Sequence, residues 1–310
     1  MKAKKRSTKI SGGFSLKTFD AAPKGFNPLT ASKTTLLRHG IVPKPDAKKD
    51  PELFKAWHAV YSKELHHIVP EFREVDRKQN GPHRGKKTIT DGTATSTNWS
   101  GVYAPPPAGD TFKWITGNWI VPDPVQPPGQ PTGSWYYSSA WVGIDGWGSN
   151  DVLQAGTSQD VLVQGTTVSR RVYAWWEWYP NYEMQISNFP VATGDYMTCL
   201  ICSTGTTTAT IYLTNNTTGT HTSFQITAPA GTTLKGNSAE WILEAPSVGG
   251  SITKLAAYGA TFFDIAYAYT QKNVQVNAGS GNTINMVDGA NKVISQATIV
   301  AAQALKVQFI

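Results

Sequence analysis

Cysteine is nearly absent, and the chain's two, Cys199 and Cys202, both fall in the run TCLICS. On a strand rising about 3.3 Å per residue their Cα atoms would stand about 10 Å apart. A disulfide spans at most about 7 Å, and two cysteines alone make a poor metal site. They read as buried thiols. Histidine is also scarce: five of the six lie within the first 83 residues, and the sixth, His221, sits in the turn-like TTGTHTS. That argues against a His-dependent hydrolase in the later part of the chain. GxSxG, HExxH and a phosphate-cradling glycine loop are all missing. No run approaches the roughly 18 apolar residues of a membrane helix. The basic start, Met1 to Leu16, has no apolar h-region behind it, so no clear signal peptide is visible.

What the chain does contain is unevenly distributed. Residues 1–90 carry 20 of the 28 Lys and Arg but 8 of the 21 Asp and Glu, a net charge of +12, which leaves −5 for residues 91–310. A global pI near 9.2 would suggest nucleic acid or an anionic surface. Split by segment, the charge instead predicts a basic extension, residues 1–90, lying against an acidic domain, residues 91–310. Within the extension, residues 1–50 read as extended and poorly ordered, and PELFKAWHAVYSKELHH (51–67) as a helix. Pro51 suits a first helical position after Asp50. Leu53, Trp57, Val60, Tyr61 and Leu65 would line one face. Residues 76–95 read as a linker, with Arg84 to Lys87 open to proteolysis. From Thr97 the chain becomes a series of short segments rich in β-formers, bounded by Gly, Pro, Asn or Asp, which predicts an all-β, antiparallel sandwich or barrel.

Sidedness singles out a few polar residues, because alternate strand positions share a face. In AEWILE, Glu240 and Glu244 share one; in YAWWEWYP, Trp175 and Glu177 do; in DVLQAG, Gln154 faces with Val152. Glu is disfavoured in strands; Glu177 lies between two Trp, Glu240 beside Trp241, and Glu244 three residues after it. Ten of the 11 Trp fall after residue 97. Such rings desolvate a carboxyl and raise its pKa, which suits a general base or acid.

Five segments, NWSGVYAPP (98–106), AWVGIDG (140–146), LQAG (153–156), YAWWEWYP (173–180) and SAEWILEAP (238–246), resemble those of the glutamic peptidases, or eqolisins, in order and spacing. The resemblance covers roughly residues 97–270. It implies a two-sheet antiparallel β-sandwich (a concanavalin-like jelly roll) with a partly helical N-terminal extension. It also implies an acid-acting, pepstatin-insensitive endopeptidase with Gln154 and Glu244 as the catalytic pair, Glu240 being the rival for the second place. Trp141, Asp145, Trp175 and Glu177 match supporting or substrate-binding positions. The sequence departs from the family in having Ser158 where an Asp is usual, one residue fewer between Asp145 and Gln154, and none of the cysteine pairs of fungal relatives, which gives it the look of a bacterial-type member.

The implied chemistry has Glu244 take a proton from a water that attacks the scissile carbonyl, with the Gln154 amide donating to the developing oxyanion. It implies no cofactor and no metal, and a monomer that acts on polypeptides and not on nucleic acid or membranes. The basic extension would be its intramolecular inhibitor, and a secreted, extracellular location is expected. Two other readings remain: a carbohydrate-binding sandwich with Trp faces for sugars, and an inactive homologue.

Overall fold

The computed structural model describes residues 7–9, 15–79 and 92–310. The strands that matter here are β1 (Arg77–Lys78), β2 (Trp99–Ala104), β3 (Phe112–Ile120), β4 (Trp135–Ile144), β5 (Val152–Gln164), β6 (Thr167–Tyr179) and β7 (Tyr196–Gly205). They are followed by β8 (Thr208–Asn215), β9 (Thr220–Thr227), β10 (Ala239–Glu244), β11 (Ala260–Thr270), β12 (Asn282–Val287), β13 (Val293–Ala301) and β14 (Ala304–Phe309). One layer runs β6–β5–β4–β10–β2–β12 and the other β11–β3–β7–β8–β9, antiparallel at every step. Strands β13 and β14 link β12 to β11, so the sheet is one long ribbon folded on itself. The sandwich therefore extends to residue 309, past the 97–270 of the resemblance.

Period-2 alternation gives each strand two differently used faces. On β4, Val142 and Ile144 point inward with Leu153 and Ala155 of β5, Trp176 and Trp178 of β6, and Trp241 and Leu243 of β10, against Trp119, Met197, Ile211, Phe224 and Phe263 of the opposite layer. The other face of the first layer carries a second buried cluster that includes Trp99, Tyr103, Trp141, Trp175 and Ile242. Gln154, Glu177, Glu240 and Glu244 have the parity of this second face. At Gly156 a Cβ would lie 2.2 Å from the Ala140 carbonyl oxygen and 2.5 Å from the Trp141 Cβ. Glycine is thus required for β5 to lie this close to Ala140 and Trp141 of β4.

The extension has more structure than its sequence suggests. Helix α1 (Lys33–Arg38), capped by the Ser32 side chain, lies within residues expected to be poorly ordered. Helix α2 (Pro51–Tyr61) starts at Pro51 as expected but ends at Tyr61 rather than 67. His66–His67, expected at a helix end, forms a short strand parallel to Thr220–His221, because β9 supplies hydrogen bonds that a further helical turn would forgo. Trp57, Tyr61, Leu36 and Ile41 form a separate small core, and the Trp57 indole donates to the Val42 carbonyl at 2.8 Å. The two thiols stay unpaired, Cys199 buried and Cys202 partly so.

Candidate active site

Four strands of the first layer position the site. Pairing aligns Glu177, Gln154, Gly143 and Glu240 in one row, and Tyr173, Ser158, Ser139 and Glu244 in the row four residues further along. Gln154 and Glu244 thus share a face on strands separated by β4, offset along the diagonal. Both are fully buried, as are Glu177 and Glu240. The Trp141 indole donates to Glu244 Oε2 at 2.9 Å and the Asn98 amide to Oε1 at 3.3 Å. Trp99 packs edge-on to Trp141 at 4.9 Å.

Burial pushes the Glu244 carboxyl well above the usual carboxylate range, against the lowering effects of Trp141, Arg77, Asn98 and Trp99. Glu177 is also raised well above that range, first by burial and further by the nearby charges of Glu183 and Glu244. Glu240 lies in the row of Gln154, but its hydrogen bonding turns it elsewhere. Oε1 accepts from the Trp147 backbone at 3.3 Å, and the charge of Asp145 adds to the burial that raises its pKa. Register alone therefore favours Glu240 as the partner of Gln154, while the bonding and the coupling to Glu177 favour Glu244.

Asp145, in the left-handed region at φ 70, does not touch either residue. It accepts from the backbone amides of Lys235 at 2.6 Å and Asn237 at 2.8 Å and so fixes the loop that leads into β10. Its pKa is pushed up to about 6, chiefly by burial. Trp175 is buried on the cleft face among the aromatic cluster.

The residues that fill this face come from the stretch expected to be a linker. Strand β1 pairs antiparallel with Ser247–Val248, just beyond Glu244. On its other side the Arg77 carbonyl accepts from the Glu183 backbone at 3.0 Å. The Gln79 carbonyl accepts from Gln154 Nε2 at 2.9 Å, and the Gln79 amide donates to Glu177 Oε2 at 2.9 Å. Its side-chain amide donates to Ser139 at 2.9 Å and Glu183 at 2.6 Å. Arg77 is buried against Asp160 at 2.9 Å and Ser139 at 2.7 Å, with Glu183 at 3.4 Å. Ser158, the departure from the expected Asp, meets Ser139 at 3.1 Å. Two residues along the same strand face, Asp160 supplies the carboxylate. The parity of Asp160 with Gln154 was readable from the sequence; the parts played by Arg77, Gln79 and Glu183 were not, since each depends on long-range pairing. The basic stretch Arg84 to Lys87 lies outside the described residues. Among those described, no cluster of three or more His, Cys, Asp or Glu is arranged to hold a metal ion.

An antiparallel sandwich with buried carboxyls and one glutamine amide on a Trp-lined face, covered by the chain's own N-terminal segment, defines the class. The Peptidase A4 family profile matches residues 97–309, and the chain belongs to that family. It is similar to aspergillopepsin-2 of Aspergillus niger, 29% identical over 188 residues, which is 56% of this chain and 64% of that protein. It is also similar to scytalidopepsin B of Scytalidium lignicola, 30% identical over 174 residues, or 56% of each. The matches thus span less than two thirds of either relative. Among solved structures, scytalido-glutamic peptidase with a peptide-based transition-state analogue superposes with a TM-score of 0.57 at 22% identity, covering 69% of this chain and 98% of that one. Aspergilloglutamic peptidase from Aspergillus niger gives 0.51 at 26% identity, covering 56% and 99%. The sandwich fold expected from the sequence is the fold these share.

Proposed function

We propose that the chain is the precursor of a secreted glutamic endopeptidase that hydrolyses polypeptides in acid through Gln154 and Glu244, and that residues 1–90 are its inhibitory pro-segment. The observation that carries this is the hydrogen bond from the Gln154 amide to a main-chain carbonyl, that of Gln79. A donor already bonded to a peptide carbonyl is where an oxyanion would need it. The other end of that amide, Gln154 Oε1, has no partner among the described residues and can accept from an attacking water. Glu244 takes the proton from that water and returns it to the leaving amine. Glu177, which accepts from the backbone amide of Gln79 at 2.9 Å, orients the bound backbone.

Burial is the chief cause of the raised carboxyl of Glu244, against a lowering by Arg77 of the segment. Once the segment leaves, water re-enters, the desolvation that keeps the carboxyl protonated declines, and the base can ionise at lower pH. Inhibition by the segment is supported by the same contacts: Arg77 and Gln79 occupy the face a substrate would use. No helix among the described residues is long and apolar enough to cross a membrane.

The test is incubation of the full chain with a denatured protein at pH 2–5, with and without pepstatin. Cleavage that pepstatin leaves untouched is expected. A substrate left intact at every pH would favour a sugar-binding sandwich or an inactive homologue.

A further inference from the structure

Arg77 is almost wholly buried, and every group that holds it belongs to the sandwich. Its Nη1 donates to Asp160 Oδ1 at 2.9 Å and Oδ2 at 3.1 Å, and its Nη2 to Ser139 at 2.7 Å. Glu183 Oε2 lies 3.4 Å from its Nε, and the Tyr173 hydroxyl 3.4 Å from Nη1. Asp160 and Glu183 are themselves buried, 2% and 0% exposed. Arg171, the other cation near Asp160, is 3.8 Å away with its side chain half exposed. A guanidinium presents several donors in a fixed fork; here Nη1 and Nη2 are hydrogen-bonded, and Nε faces the Glu183 carboxylate as an ion pair without a hydrogen bond.

The pocket also has a fixed place along the bound backbone. In an extended chain, residues two apart point to the same side, and Gln79, two residues after Arg77, is the residue whose carbonyl meets Gln154. Gln79 shares Ser139 and Glu183 with Arg77. Lys78, between them, points the other way, its ammonium 4.4 Å from the Tyr182 ring. If the segment leaves, two buried carboxylates lose their close cation, and an unpaired buried charge is strongly unfavourable. The pocket must then take up protons or another cation.

We infer that Ser139, Asp160 and Glu183 form a guanidinium-selective substrate subsite, so that this enzyme prefers chains with Arg two residues before the one that donates the scissile carbonyl. Arg77 fills that subsite in the latent chain. The inference rests on reading Gln154 as the group that meets the scissile carbonyl.

The test is the cleavage-site profile of the acid-treated full chain on a denatured protein of known sequence, read by mass spectrometry. Charge-assisted hydrogen bonds of this kind give an expected enrichment of Arg of at least about tenfold at the third position before the cut. In Asp160→Asn the enrichment should fall toward one. Cleavage without enrichment at that position overturns the subsite and leaves the peptidase reading intact. Absence of cleavage overturns the peptidase reading instead, and the pocket is then read without turnover. Methylguanidinium should raise the melting temperature of Arg77→Ala in a saturable way and leave Arg77→Ala/Asp160→Asn unchanged. No rise in Arg77→Ala would overturn the pocket as well.

Discussion

Gln154 donates its side-chain amide to the backbone carbonyl of Gln79, 2.9 Å away and 75 positions earlier in the sequence. The last described residue of the extension thus bonds to one half of the proposed catalytic pair. Its other bonds, to Glu177 and Ser139, spread the same residue across three strands of the cleft. On the proposed reading latency and catalysis draw on one set of groups, so changes in the extension should be readable as activity.

Arg77→Ala should weaken that latency. Removing one partner of a buried ion pair costs about 3–5 kcal/mol, and here the loss falls on the docked state. The full-length variant should cleave a denatured protein at a higher pH than the wild type does. N-terminal sequencing after incubation at pH 3–4 should find new termini between about residues 75 and 97. An Arg77→Ala chain as latent as the wild type would remove the ion pair from the account of inhibition.

Acid should act on the extension and the sandwich with opposite signs. His67 is lowered from 6.5 to about 4, by burial first and then by His39 and His66. His221, buried beside it with ring centroids 4.8 Å apart, is lowered well below its ordinary value. A depressed histidine stabilises docking fully above about pH 6.5, and that stability is lost as pH falls toward 4. The raised carboxyls behave conversely: their contribution is complete below the usual carboxylate range and lost as pH rises, through about 6 for Asp145. Hydrogen exchange should therefore show residues 33–67 losing protection between pH 6.5 and 4 while β4, β5 and β10 keep theirs. In His67→Phe the loss should move to lower pH; an unchanged midpoint would remove His67 from the switch.

Trp57→Ala tests whether the small core of the extension holds it in place. Emptying a buried tryptophan site costs about 3–5 kcal/mol, and the bond to Val42 goes with it. The extension should become open to limited proteolysis at neutral pH while the sandwich persists. Equal resistance in variant and wild type would mean that the strand pairings of the extension anchor it without that core.

The sandwich was legible because its signals are local. Alternation along AEWILE put Glu240 and Glu244 on one face of their strand, and along DVLQAG put Gln154 with Val152; that the two faces are one needed the pairing through β4. The extension was misjudged where tertiary contacts outweigh local propensity. Nothing in Phe72–Glu74, Arg77–Lys78 or His66–His67 marks a strand; the first and last become one by adding to an edge of the sandwich, and Arg77–Lys78 by pairing with Ser247–Val248 in a small separate sheet. Arg77 looked like ordinary linker charge because its partners, Asp160 and Glu183, lie 83 and 106 positions away. Asp145 shows the opposite limit: its place in WVGIDG implies a supporting or substrate-binding position, and its carboxylate holds the loop at Lys235 and Asn237.

The central claim is that Glu244 is the base and Gln154 the oxyanion donor, and parallel substitution tests it most directly. The measurement is kcat/KM for a denatured protein in acid, in chains shown by circular dichroism to be folded. Glu244→Gln should lose about 10²–10⁴-fold and Gln154→Ala about 10²–10³-fold, while Glu240→Gln, bonded to the Trp147 loop, should stay within about tenfold of wild type. Full activity in Glu244→Gln together with its collapse in Glu240→Gln would contradict the assignment and move the base four residues back along β10.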